Sequence, residues 1–135
     1  MKKLLFIVFL AALAGNTYAQ QAPAKQAFAA FTWDSPSHDF GKIKQGTPVT
    51  HEFKFTNTGK TPLIITNVQA SCGCTTPSWT KEEVMPGGSG FIKATYNAAA
   101  VGAFNKTITV TANIESGFVQ LTIKGEVQAG ASVQQ

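Results

Sequence analysis

No arginine occurs in the 135 residues; all eleven cationic side chains are lysine. The chain therefore lacks the bidentate guanidinium fork that best recognises phosphate and guanine edges, and nucleic-acid binding is not expected. Charge of either sign is scarce, at 13% of residues, about half the usual share. Histidine and cysteine occur twice each, which leaves little material for a catalytic or metal-binding cluster. Two cysteines are too few to staple a disulfide-built scaffold, so packing has to supply the stability. No apolar run reaches membrane-spanning length; the longest, Leu4 to Ala14, has eleven residues. What is present is 44% apolar residues, enough for one core and far from a disordered composition.

The eleven-residue run follows Met1-Lys2-Lys3 and precedes Thr17-Tyr18-Ala19. Basic start, apolar stretch and small residues at −3 and −1 together spell a secretory signal peptide over 1–19, cleaved between Ala19 and Gln20. The expected location is periplasmic or extracellular, with no membrane span in the mature chain. Losing Lys2 and Lys3 leaves nine lysines against seven acids. The mature surface is then close to neutral and gives no support to electrostatic capture of an acidic partner.

Residues 20–30, rich in Gln and Ala, read as a flexible lead-in, and 128–135 as a flexible tail. Between them, over 31–127, the apolar period is two. Val49, Phe53 and Phe55 share one side of a strand, with Thr50, Glu52, Lys54 and Thr56 on the other. Leu63–Ala70 and Phe91–Asn97 are further strands. Ile108 and Val110 alternate with Thr107, Thr109 and Thr111; Leu121 and Ile123 alternate with Gln120, Thr122 and Lys124. The Phe31–Trp33 and Phe40 regions supply edge strands. Turn signals separate these segments, including Thr58-Gly59-Lys60, Met85-Pro86-Gly87-Gly88 and Glu115-Ser116-Gly117. No helical stripe is evident. The expected fold is all-β, an immunoglobulin-like β-sandwich of seven to eight strands. Phe53, Phe55, Ile108, Val110, Leu121 and Ile123 should meet in one core.

Ser71-Cys72-Gly73-Cys74-Thr75 is the one local cluster able to carry chemistry. In an oxidising compartment a cysteine pair defaults to a disulfide. An extended i, i+2 pair is too widely spaced to bridge, so a bend is required, and Gly73 is expected to hold it. Three readings stay open: an inert structural pair, a thiol–disulfide exchange site, and a Cu(I) site built on two soft thiolates. Two sulfurs alone do not complete a zinc site. His51 falls on the Val49/Phe53/Phe55 side, as a core or rim residue, and His38 reads as a turn residue. Trp79, five residues beyond Cys74, is the nearest aromatic for a glycan platform. No Gly-x-Ser-x-Gly elbow and no phosphate loop is present. Neither an enzyme nor a cofactor is expected.

One series of elements has a resemblance. It runs Phe40-Gly41, Val49-x3-Phe53-x-Phe55-x-Asn57-x-Gly59, Pro62-Leu63-x-Ile65, Ser71-Cys72-Gly73-Cys74-Thr75, Pro86-Gly87 and Gly102-x-Phe104-x-Lys106. It is similar to a bacterial exported family, common in Bacteroidetes and catalogued as a domain of unknown function. That family is related to the hydin-like (ASH-type) immunoglobulin-like domains and, more distantly, to the major sperm protein sandwich. The resemblance spans about Trp33 to Val127. It implies a sandwich outside the cytoplasm and carries over no catalytic residue. The function expected is a non-catalytic module that binds a protein or a cell-envelope component. The alternative is a periplasmic thiol protein using Cys72 and Cys74.

Overall fold

The period-two segments form strands in a computed structural model that describes residues 27–130. The elements are β1 (Phe31–Trp33), β2 (Ser37–Lys44), β3 (Val49–Asn57), β4 (Ile65–Ala70), β5 (Thr75–Trp79), β6 (Ser89–Tyr96), β7 (Gly102–Ala112) and β8 (Phe118–Gln128). One sheet runs β1-β3-β6-β5 and the other β2-β8-β7-β4. All pairings are antiparallel except β2 with β8. The two sheets pack face to face as an immunoglobulin-like sandwich, and no helix occurs among the described residues. The proposed signal peptide and cleavage point, 1–20, lie outside the described residues.

The core consists of the side chains that the alternation points inward. Phe53, Phe55, Ile108, Val110, Leu121 and Ile123 are all buried together, joined by Leu63, Ile92, Ala94 and Val127. Tyr96 stacks on Phe104 at 3.9 Å between ring centroids, linking β6 to β7 across the layers. Phe31, Trp33 and Phe55 form a second aromatic group at the β1 edge, with centroids 4.8–5.3 Å apart.

Two local expectations are corrected, and one strand, β5, joins those read from the sequence. β4 begins at Ile65, because the Leu63 amide and carbonyl bond Val84 instead of a strand in the β4 sheet. Leu63 is thereby sunk in the core while Ile64 faces out. Thr75–Trp79 is a strand, although Pro77 argues against one. β5 lies at a sheet edge and pairs only with β6, so a missing amide proton is tolerated. His38 is not in a turn: it lies within β2, paired beside Ile123 of β8.

The chain is anchored ahead of β1. Ala29 is buried and bridges Ile114, and the backbone of 28–30 lies against the 58–60 turn. Gly59 makes that contact possible, since a Cβ there would lie 2.5 Å from the Ala30 nitrogen. Asn57, fully buried at the end of β3, ties the region together. Its Oδ1 accepts from the Ala30 and Gly59 amides at 3.3 and 3.0 Å. Its Nδ2 donates to the Thr61 and Val84 carbonyls at 2.8 and 2.9 Å.

Candidate functional site

The cysteine cluster sits where the chain leaves one sheet for the other, between β4 and β5. The Ser71 amide donates to the Thr107 carbonyl at 2.8 Å, and the Asn97 amide donates to the Cys74 carbonyl at 2.9 Å. The segment is thus pinned to β7 on one side and to the end of β6 on the other. Between these pins a turn closes, with the Thr75 amide 3.4 Å from the Cys72 carbonyl. It draws the two cysteine Cα atoms to 5.3 Å, and the sulfurs are bonded to each other. The bend at a strand end was legible; its assignment to Gly73 was not. Gly73 is not in the left-handed region, and a Cβ built on it meets nothing. The backbone pins and the crossover make the bend. Both cysteines are half-buried. Joined to each other, they offer no thiolate to Cu(I), and in this form the pair enters exchange only as the disulfide that an outside thiolate attacks.

The two histidines, on the consecutive strands β2 and β3, meet across the sandwich edge. Their rings stack at 3.7 Å and 6°. Phe40 meets His38 edge-on at 4.6 Å, and Phe53 meets His51 edge-on at 4.7 Å. Burial lowers the His51 pKa from its ordinary value, and His38 lowers it further, against a raising effect from Glu52. Parallel rings direct their in-plane lone pairs along parallel planes and not at one shared point. Among the described residues no three His, Cys, Asp or Glu side chains gather as a metal site. The aromatic platform expected at Trp79 is also closed, because Lys81 Nζ covers the ring 3.0 Å from its centroid.

One concavity has no counterpart in any sequence motif. An open groove of about 840 Å³ lies at the β1 end, between the 27–31 segment, the 58–60 turn and the β7–β8 connection. Phe28, Phe31, Trp33, Ile114 and Val119 make its apolar floor, with Lys60 and Glu115 at the rim. Phe28 is exposed. The Trp33 indole N–H is buried and finds no partner among the described residues. The floor residues come from segments more than eighty positions apart, brought together by the Asn57 bonds and the Ala29–Ile114 bridge.

A family model described as "Protein of unknown function (DUF1573)" matches residues 31–127. No curated protein matches the sequence. Among solved structures, a protein of unknown function from Porphyromonas gingivalis W83 superposes with a TM-score of 0.67 at 20% identity, covering 78% of this chain and 51% of that one. The present chain thus spans about half the length of that protein. The ASH/PapD-like domain of human CEP192 gives 0.64 at 9% identity, over 96% of this chain and 99% of that one. SSP-19, an MSP-domain-like protein of Caenorhabditis elegans, gives 0.51 at 15% identity, over 70% and 98%. At these identities the likeness is one of fold. No helix of the described residues is long and apolar enough to cross a membrane.

Proposed function

The chain belongs to the DUF1573 family, and from that premise we propose that it is an exported, non-catalytic module that binds a protein or a cell-envelope component. The groove at the β1 end carries this reading. It combines an apolar floor with a polar rim, the composition of a recognition site. Export is supported by the basic start, the apolar run and the small residues before Gln20. A self-bonded cysteine pair also suits an oxidising compartment.

Two measurements test this. Amino-terminal sequencing of the chain recovered outside the cytoplasm should begin at Gln20; an intact Met1 start in the membrane fraction defeats the export claim. Purified chain should then co-sediment with isolated cell envelopes, and Phe28→Lys should reduce the bound fraction severalfold at unchanged melting temperature. Phe28 is suited to this because it is exposed on the groove. Equal co-sedimentation of the variant, or none by either protein, rejects the groove as the binding site. The competing thiol reading draws on the half-exposure of Cys72 and Cys74. It would displace this one if the Cys72→Ser/Cys74→Ser variant lost cellular function while folding and binding envelopes normally.

A further inference from the structure

The outer faces of the two sheets differ in a way their shared strand pattern does not require. On the β1-β3-β6-β5 sheet the outward side chains of β3 and β6 include charges and paired hydroxyls, while the exposed Thr76 and Ser78 of β5 are neutral and make no side-chain hydrogen bond among the described residues. Glu52 and Lys93 form an ion pair at 3.5 Å, and the Thr50 and Thr95 hydroxyls bond at 2.8 Å. Thr56 and Ser89 meet at 3.5 Å, and Lys54 lies opposite Phe91.

The other sheet is different. Ile108 and Val110 are fully buried, so Thr107, Thr109 and Thr111 between and beside them face outward from β7. The register sets Thr122 and Gln120 of β8 opposite Thr107 and Thr109, and Gln69 of β4 on the far side of Thr109. No charged residue lies on these strands between the Thr107–Thr122 row and the Thr111–Phe118 row. Charge resumes one row beyond Thr122, at Lys124 and Asp39. None of the six side chains makes a protein hydrogen bond among the described residues, in contrast to the paired hydroxyls opposite. Exposed Phe118, paired with Thr111, closes one end of the array.

We infer that this β8-β7-β4 face binds a neutral polysaccharide. Threonine hydroxyls and glutamine amides both donate and accept, which matches the mixed donors and acceptors of sugar hydroxyls. The absence of lysine gives no counter-charge for an anionic glycan, and the absence of acids no attraction for a cationic one. Phe118 offers an apolar surface to the C–H face of a sugar ring. From strand rise and spacing the uncharged array measures about 14 Å by about 10 Å, a span that suits a few sugar units. A peptide strand would add to a sheet edge through its backbone instead of lying on a sheet face.

The test is retention of the purified chain on insoluble (1→3)-β-glucan, cellulose and mannan, with alginate as the anionic control. At least one neutral polymer should retain it, equally at 0.15 and 1 M salt on the order used to screen exposed charges. Thr107→Val/Thr109→Val/Thr111→Val keeps the branched strand-forming shape and removes the hydroxyls. It should cut retention by about tenfold or more, as should Thr109→Lys, which guards against aggregation of the triple variant. Thr50→Val/Thr95→Val on the opposite face should retain fully. Retention by none of the neutral polymers, by alginate alone, or equally by the hydroxyl variants overturns the inference. So does a dimer in solution that Thr109→Lys dissociates, since a second copy would then occupy the face. The inference is independent of the groove. Loss of envelope binding on Phe28→Lys with no neutral-polymer retention leaves the binding-module reading standing and this one refuted.

Discussion

Replacing Asn57 by alanine should destabilise the domain more than an ordinary polar truncation does. Asn57 is fully buried and makes four side-chain hydrogen bonds, all to backbone. Of its four partners, the Val84 carbonyl keeps a second donor, the Leu63 amide at 2.8 Å. The Ala30 and Gly59 amides and the Thr61 carbonyl have no other protein partner among the described residues. Orphaning a buried backbone group costs about 1–3 kcal/mol. These three are partly buried, so water reaches them in part and the low end applies, giving about 3 kcal/mol. For a domain of this size that lowers the melting temperature by roughly 12–24 °C.

Urea denaturation followed by tryptophan fluorescence measures the change, and an unaltered m value shows that the same surface is exposed on unfolding. Asn57→Asp supplies the internal control. It keeps the acceptor for the two amides but turns a carboxylate oxygen toward the Thr61 and Val84 carbonyls, so it should also destabilise, through repulsion. A loss below about 1 kcal/mol in Asn57→Ala would refute the reasoning, because relaxation or water would then have satisfied all three groups. Faster proteolysis ahead of Phe31 should accompany the loss, since the Ala30 bond holds the segment that walls the groove.

Three further outcomes follow from the geometry. Cys72→Ser/Cys74→Ser should lower stability by only about 1.5 kcal/mol in the loop-entropy treatment, because the bridge closes a loop of about three residues, and thermal melting in the presence and absence of reductant checks it. Gly59→Ala should be severe and Gly73→Ala nearly neutral, as compared by urea midpoints, since a Cβ at 59 strikes the Ala30 backbone and one at 73 enters open space. His51, with its pKa lowered in the fold, takes up a proton more readily when unfolded. Its neutral-state contribution is therefore present above about pH 6.5, is lost as pH falls from there through the folded pKa, and stays constant below it. Urea midpoints across pH 4–8, on the order of that range, should show a slope of at most one proton that His51→Gln removes.

The core was legible because alternation fixes which side of a strand is buried. Phe53 and Phe55, or Ile108 and Val110, have no other apolar side to share. The cysteine bend was legible because it follows directly on a strand. Long-range pairing decided the rest. Pro77 reads as a strand breaker until β5 is known to be an edge. His38 reads as a turn residue after Ser35-Pro36-Ser37 until β8 pairs with β2 and delivers it onto His51. Leu63 and Ile64 cannot be assigned sides from an apolar run; the Val84 bridge decides it.

The same reasoning explains why the motif cluster was a poor guide to the two proposed binding surfaces. Short motifs report local backbone demands. Asn57-x-Gly59 marks a buried clamp and a close backbone approach, and Ser71 to Thr75 marks a sheet-to-sheet crossover. Their chemistry is spent inside the molecule, on backbone groups and on a closed disulfide. Surfaces able to meet a partner are built differently. The groove joins 28–33 to 114–119, and the hydroxyl face joins three strands whose outward residues look like ordinary solvated positions one strand at a time. Only the register reveals that Thr109 has Gln120 on one side and Gln69 on the other, with no charge in the row. The proposed recognition rests on side chains that no single segment singles out. Substitutions should therefore separate cleanly: those at Asn57, Gly59 or the cysteine pair should move stability, and those at Phe28 or Thr109 should move binding at constant stability. Loss of binding in Gly73→Ala at full stability would contradict that separation and return the cysteine turn to the recognition surface.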